Sequence, residues 1–256
     1  MENSIKREIL EYRENSLNRK LVNILVEDKL TIYVNDNRII EILCTLSCIE
    51  ELIIGYLYSA GIIIRYSDIR KIYIEEDKLA KVYIKDNQYK QLKLKKLSNS
   101  AQNNFEVFQR HKYNNLSYIN KKNFIKVNEL LKAIDEFDSR SKLYNLTRGI
   151  HSCALYKGGE CIIFQEDIGR HNAFDKVIGS AMKLNISFED KYIYISGRIP
   201  SDIVIKAIKS RTSIIITLSV PTDNAIKLAE EYRITIIGKA KNGSFIVYTC
   251  ANRLKW

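Results

Sequence analysis

The sequence predicts an α/β protein in which a smaller α+β unit precedes a larger layered unit. Beyond residue 150, short apolar runs alternate with amphipathic stretches, a pattern typical of strands and helices that stack in layers. Before residue 97, two strand pairs flank one helical pattern. Between these parts, residues 97–125 are rich in Asn and Ser and show no periodicity, which is typical of a mobile linker. We therefore divide the chain into residues 1–96, 97–125 and 126–256.

In the first unit, the pattern predicts a hairpin, a helix and a second hairpin. Residues 30–34 and 39–43 read as strands, because Asn35-Asp36-Asn37 between them is a turn sequence. Ser47, followed three residues later by Glu50, fits a capping box that opens a helix running to Tyr58. Residues 71–75 and 80–85 form the predicted second hairpin.

The second unit alternates strands with helices, which predicts a largely parallel sheet. The predicted strands are residues 151–156, 161–165, 192–195, 214–218, 234–237 and 245–249. The predicted helices are residues 127–137, 172–183, 201–209 and 223–232.

The composition limits which partners the protein can bind and in which cellular compartment we expect it. The 256 residues carry a formal net charge of +11, which favours anionic partners such as nucleotides. Neither an apolar run of membrane-spanning length nor an apolar signal sequence is present, so we expect no membrane contact. The five cysteines are few, odd in number and widely spaced, which indicates reduced thiols and a cytoplasmic protein rather than a disulfide framework.

One segment of the second unit concentrates charged and polar residues immediately after a predicted strand and before a helix. In open α/β sheets, this edge is where ligands bind. Placing acids, an arginine and a histidine together in a core is costly, so the cluster suits a polar ligand. The alternative is a capped helix start with local salt bridges. Its members are Glu166, Asp167, Gly169, Arg170, His171, Asn172, Asp175 and Lys176.

Three shorter segments share part of this pattern. Ser196, Gly197 and Arg198 follow a strand and precede a helix, as an anion seat does, although many ordinary turns look similar. Ser219, Pro221 and Thr222 also join a strand to a helix, and their hydroxyls either bind a ligand or cap the helix. His151 follows Gly149 and is either a phosphate or proton-transfer residue or a structural histidine.

Together, the four segments resemble the FdhD/NarQ family of formate dehydrogenase accessory sulfurtransferases. That family shows Thr-Gly-Gly-x-His, then Glu-Asp-x-Gly-Arg-His-Asn-Ala-x-Asp-Lys-x-Ile-Gly, then Ser-Gly-Arg and Ser-x-Pro-Thr. Residues 166–179 read EDIGRHNAFDKVIG without a break. Order and spacing fit from Thr147 to Gly238, and the N-terminal part fits more loosely at residues 52–57 and 61–63.

The resemblance implies a three-layer cytidine-deaminase-like domain with a mixed sheet and a smaller N-terminal α+β subdomain. It implies transfer of sulfur from a cysteine desulfurase to the molybdenum bis-guanine-dinucleotide cofactor, which is then inserted into formate dehydrogenase. The charged loops would hold the guanine ends of that cofactor, or a GDP-like nucleotide, and the protein would be a homodimer. The residues expected to bind are those of the 166–176 cluster together with His151, Ser196, Gly197, Arg198, Ser219, Pro221 and Thr222.

The sequence departs from the family in two places. The family's Cys-Gly-x-Cys-Gly loop corresponds here to residues 97–104, which contain no cysteine, so sulfurtransferase activity is left open. A persulfide carrier needs an accessible thiolate, and Cys153 or Cys161 are candidate replacements, although strand alternation favours packing roles for both. Arg148 stands where the family has glycine, which either adds a phosphate contact or narrows the pocket.

The residues also bear on other functions. Without a sulfur-carrying thiol, the protein would be a non-catalytic chaperone that binds the molybdenum cofactor and delivers it. Nucleic-acid binding is suggested only by the net charge and lacks a motif, so we expect no nucleic-acid partner. The His-x-Glu and Pro-Cys-x-x-Cys sequences of zinc deaminases are absent, so we expect no metal site and no deaminase activity.

Overall fold

The computed structural model describes residues 3–76, 78–85 and 123–256. Elements are numbered over these residues. The N-terminal strands are β1 (Ser4–Arg13), β2 (Ser16–Leu25), β3 (Asp28–Val34), β4 (Asn37–Cys44), β5 (Ile69–Glu75) and β6 (Leu79–Ile84), with helix α1 (Ile49–Ser59) between β4 and β5. Residues 97–122 of the predicted linker lie outside the described residues, whereas its last residue, Ile125, is paired in a short strand.

The later helices are α2 (Val127–Arg140), α3 (Lys142–Thr147), α4 (Arg170–Lys183), α5 (Ser201–Lys209) and α6 (Asp223–Glu231). The later strands are β7 (Ile125–Lys126), β8 (His151–Lys157), β9 (Glu160–Asp167), β10 (Tyr192–Ile195), β11 (Ile214–Thr217), β12 (Thr235–Lys241), β13 (Ser244–Val247) and β14 (Leu254–Lys255).

The larger unit is built on a six-stranded mixed sheet in the order β13-β12-β11-β10-β8-β9. Strands β10, β11 and β12 are parallel neighbours, while β8 runs antiparallel to both β10 and β9. Simple alternation of strands and helices predicts a largely parallel sheet. The sheet is mixed instead, because β8 and β9 form an antiparallel hairpin through the turn at Gly158 and Gly159. The α/β class and the mixed sheet are confirmed.

Helices cover both faces of this sheet and give the three layers. One face packs against α4, α5 and α6, where Phe174, Ile203 and Leu228 join the inward residues of the strands. The other face packs against α2 through Leu130, Ile134 and others. Burial of apolar side chains on both faces explains why β10 and β11 are continuous apolar runs rather than alternating ones.

The smaller unit is a four-stranded sheet in the order β4-β3-β6-β5 with α1 packed on it. Helix α1 also lies directly against α4 of the larger unit. The close approach is permitted by two glycines: a Cβ on Gly55 would lie 1.8 Å from the carbonyl oxygen of Asp175, and a Cβ on Gly179 would lie 1.9 Å from that of Glu51. The two units are thus joined along a helix pair.

The structure corrects the prediction at several N-terminal positions. Residues 4–25 form a long exposed hairpin, β1 with β2, which the sequence pattern does not predict because its apolar residues do not alternate cleanly. Helix α1 has Cys48 at its N-cap in the left-handed conformation, without a side-chain cap, so Ser47 does not form the predicted capping box. Helix α3 is a further element that the pattern does not predict.

Candidate functional site

The four polar segments meet at one edge of the six-stranded sheet. Strands β10 and β11 end there, at Ile195 and Thr217. Because β8 is antiparallel to β10, its first residue, His151, lies at the same edge and pairs with Asp167 at the end of β9. The antiparallel hairpin thereby brings the His151 segment beside the other three.

A cavity of about 700 Å³ opens at this edge. Of the predicted site residues, it is lined by His151, Ser196 and Ser219. Further lining residues come from parts of the chain that the sequence analysis did not assign to the site: Phe137, Ser141, Tyr144 and Asn145 of the α2–α3 region, and Lys241 of β12. Arg148 and Gly149 complete this side of the wall. Apolar residues at helical spacing would have predicted α3. Residues 142–147 lack that pattern because their apolar side chains are mostly exposed rather than gathered on one buried face.

His151 is held as a neutral imidazole at the cavity wall. Its Nδ1 lies 3.5 Å from the Ser196 hydroxyl oxygen, which accepts a hydrogen bond of 2.9 Å from the backbone N–H of Ser152. Burial, and next the charge of Arg170, lower the pKa of His151. Gly197 allows this contact, since a Cβ there would lie 3.1 Å from Nδ1 of His151.

Glu166, near the end of β9, is hydrogen-bonded to the junction between α2 and α3. Its Oε1 accepts a short hydrogen bond from the hydroxyl of Ser141 and a longer one, of 3.4 Å, from the hydroxyl of Ser152. Ser141 lies between α2 and α3 and is buried. The carboxylate therefore positions the wall that carries Tyr144 and Arg148.

Asp167 and Lys176 form a fully buried ion pair. Nζ of Lys176 lies 2.6 Å from Oδ2 of Asp167, and neither side chain is exposed. The same Oδ2 accepts from the N–H and the hydroxyl of Thr45, just beyond β4. Lys176 also donates to the Thr45 carbonyl and to the Glu166 carbonyl. The two charges therefore neutralise each other inside the protein. Through Thr45 they also connect the N-terminal unit to the segment that begins at Glu166.

Two other members of the cluster are likewise engaged internally. Asn172 donates to the Leu43 carbonyl and to Oδ1 of Asp167, which also accepts from the N–H of Gly169. Asp175 is buried and accepts from the Ser59 hydroxyl and from Nζ of Lys206, each at 2.6 Å. The geometry of these four residues, Asp167, Asn172, Asp175 and Lys176, matches the alternative given for the cluster, a helix start held by local hydrogen bonds and salt bridges. Their direct contact with a ligand stays a prediction.

His171 is also neutral in the fold. Its Nε2 lies 3.1 Å from Oδ2 of Asp202 at the start of α5. Burial lowers its pKa to about 3, helped by the nearby positive charges of Lys206 and Arg170. Burial raises the pKa of Asp202.

We expect stability to fall as the pH is lowered from 7 to 5. A histidine with an ordinary pKa of about 6.5 when unfolded and about 3 when folded binds its proton more readily in the unfolded chain. The free energy of unfolding then decreases below pH 6.5, by up to about 1.4 kcal/mol per pH unit for this one group. The lowered pKa of His151 acts in the same direction, whereas the raised pKa of Asp202 acts in the opposite direction.

Urea denaturation at pH 7, 6 and 5 measures this dependence. His171→Gln serves as the comparison, since it removes the titrating ring and is expected to flatten the slope. An equal slope in the variant and the parent chain would contradict the assignment to His171.

Arg170 and Arg198 are the two arginines of these segments, and the charge of Arg170 favours the ionised form of Asp202. Within the described residues, neither Arg170 nor Arg198 forms an ion pair with a carboxylate. Nε of Arg170 is buried and has no hydrogen-bond partner there. Arg198 is exposed. Thr222, by contrast, caps α6, since its hydroxyl accepts from the N–H of Ala225, and Pro221 forms a bridge with Ile199.

The candidate thiols do not line the cavity. Cys153 is fully buried against α4 and α5, and burial raises its pKa well above the usual range. Cys161 packs on the opposite face of the sheet and its pKa is also raised by burial. Cys44 is buried as expected, whereas Cys48 is exposed at the start of α1 rather than in the core.

No cluster of three His, Cys, Asp or Glu side chains suited to hold a metal ion occurs in the described ranges. Over those same ranges, every helix is too short or too polar to cross a membrane.

Comparison with known proteins identifies the family. The FdhD/NarQ family model matches residues 25–255. A sulfur carrier protein FdhD from Bacillus licheniformis is 34% identical over 255 residues, covering 98% of this chain and 97% of the relative. One from Staphylococcus aureus MRSA252 is 30% identical over 259 residues, covering 98% and 96%.

A solved structure agrees in fold. The crystal structure of a candidate formate dehydrogenase accessory protein from Desulfotalea psychrophila superimposes with a TM-score of 0.80 at 23% identity, covering 99% of this chain and all of that one. The match of the family model and of these relatives over nearly the whole length shows that the chain belongs to the FdhD/NarQ family.

Proposed function

We propose that this protein is an accessory factor for formate dehydrogenase maturation that acts on the molybdenum bis-guanine-dinucleotide cofactor as its substrate. The near full-length similarity to sulfur carrier proteins FdhD is the observation that carries the proposal. The cavity at the sheet edge supports it, because serine hydroxyls, a neutral histidine and nearby arginines suit a polar, anionic nucleotide. A GDP-like nucleotide would occupy the same place.

In this proposal the residues divide into two groups. Those that would face the ligand are His151, Ser196 and Ser219 at the cavity, with Arg170 and His151 both next to Gly197 and the exposed Arg198 following Gly197 in the chain. Those that hold the loops in position are Glu166, Asp167 and Lys176, whose charged atoms are bonded within the protein. Partners would be a cysteine desulfurase as sulfur donor and formate dehydrogenase as recipient.

Sulfur transfer is the finer part of the proposal. A carrier thiol must be reached by the donor, and its thiolate is the reactive form. Residues 97–104 hold no cysteine, and Cys153 and Cys161 are disfavoured as thiolates by burial. These observations favour the second candidate function, a chaperone that binds and delivers the cofactor without carrying sulfur.

Loading with a cysteine desulfurase separates the two functions. The pure protein is incubated with desulfurase and cysteine, and intact mass is measured for one added sulfur that reductant removes. If sulfur is carried through a relocated thiol, we expect an adduct that disappears in Cys153→Ala or in Cys161→Ala. A family member with the cysteine pair is the positive control.

Cys48→Ser is the matched variant, because Cys48 is exposed and open to surface modification. An adduct lost only in this variant counts as sulfur transfer only if the adduct is passed on to the cofactor. Absence of any adduct, with the positive control loaded, would exclude the sulfurtransferase function and leave the chaperone.

A further inference from the structure

The charged side chains that line the cavity are positive, and the carboxylate of Glu166 lies behind the wall, bonded to the hydroxyls of Ser141 and Ser152. Among the described residues that line it, Arg148 and Lys241 are the charged side chains, and neither Asp nor Glu is included. Hydroxyls of Ser196 and Ser219 line the same space, whereas the hydroxyl of Ser141 donates to Glu166. Phosphate oxygens only accept hydrogen bonds, so a wall of donors with net positive charge matches a phosphate ester.

Arg148 is placed on this wall by the end of α3. Its backbone N–H donates to the Tyr144 carbonyl at 2.7 Å, and its guanidinium lies 5.1 Å from the centroid of the Tyr144 ring. This is a cation–π distance, and such a contact leaves the N–H groups of the guanidinium able to donate. Arg148 is exposed, and no carboxylate of the described part of the chain pairs with it.

The backbone of Arg148 makes this residue easy to test. Its φ is +57°, in the left-handed region that glycine adopts without strain. Arg211 and Arg233 follow other helices with φ near the same value, so the conformation is not itself a sign of function. It means that Arg148→Gly removes the side chain without a conformational penalty, and that Arg211→Gly is a matched control.

We propose that Arg148, together with Lys241, binds the phosphate groups of the guanine nucleotide in this cavity. The inference rests on the proposed function, since it assumes that the cavity takes that nucleotide. It concerns a contact that this chain adds, because the related family motif has glycine at the position of Arg148. Of the two consequences open from the sequence, a phosphate contact or a narrower pocket, the geometry points to the contact.

Calorimetric titration with GDP and with guanosine tests the proposal. Arg148→Gly is expected to weaken GDP binding about tenfold, as loss of one charge-assisted contact at a partly exposed site does. Guanosine, which lacks phosphate, is expected to bind the variant and the parent chain equally. Arg148→Lys is expected to retain part of the affinity for GDP, and Arg211→Gly to leave it unchanged.

The outcomes separate this inference from the proposed function. Equal or tighter GDP binding by Arg148→Gly would overturn the inference and favour the narrowed pocket, as would an equal loss for guanosine. If the parent chain binds neither GDP nor guanosine, the cofactor site of the proposed function fails, and the inference falls with it.

Discussion

Replacing Gly55 with alanine is expected to destabilise the protein by at least about 3 kcal/mol, because the new methyl group would overlap the backbone of α4. A Cβ at this position lies 1.8 Å from the Asp175 carbonyl oxygen and 2.5 Å from its carbon. Both atoms belong to the backbone of a helix, so no side chain can rotate away. Relief requires α1 and α4 to separate, which exposes apolar surface of both cores.

Urea denaturation compares Gly55→Ala with Gly158→Ala. Gly158 has φ of +56°, and a Cβ added there would have no neighbour within 4 Å among the described residues, so its variant bears only the cost of the left-handed backbone, about 1 kcal/mol. A Gly55→Ala variant no less stable than Gly158→Ala would show that the helices are not in the close contact described. Gly179→Ala is expected to behave like Gly55→Ala, since its Cβ would lie 1.9 Å from the Glu51 carbonyl oxygen.

Lys176→Met is expected to cost about 3–5 kcal/mol, because it leaves the Asp167 carboxylate buried without its cation. Both side chains are completely buried and their charged atoms are 2.6 Å apart. The loss would be felt in the N-terminal unit as well, since Thr45 shares the same carboxylate oxygen.

Lys227→Met is the matched control, because the Lys227–Asp223 pair is 70% and 76% exposed and pairs of this kind contribute little to stability. A double variant, Asp167→Asn with Lys176→Met, is expected to lose less than the sum of its single variants, because no unpaired charge remains. Similar losses in Lys176→Met and Lys227→Met would contradict the buried pair.

Much of the second unit could be predicted from the chain. The predicted bounds of residues 192–195 and 201–209 are those that the structure shows, because a buried run of apolar residues and a helical period are both local signals. The segment 166–172 stands out for its residue types, since polar groups crowded after a strand are uncommon in a core. Which of these polar side chains contact a ligand and which are bonded within the protein cannot be predicted from such local signals.

The N-terminal hairpin and α3 show where local signals fail. Leu10, Tyr12, Leu17 and Leu21 are exposed on the hairpin, so its apolar residues do not follow the alternation of a half-buried strand. Helix α3 is too short to carry a period and also has exposed apolar residues. A sequence pattern therefore predicts an element only where at least one of its faces is buried.

By itself, the sequence determined the α/β class, the family resemblance and the polar segments that gather at one sheet edge. The tertiary structure decided which of those side chains face the cavity and which are used internally. Asp167 and Lys176 sit in the same motif as Arg170, yet the first two meet Thr45, more than a hundred residues earlier, and are buried. Long-range contacts of this kind fix burial and charge pairing, and a one-dimensional pattern does not contain them.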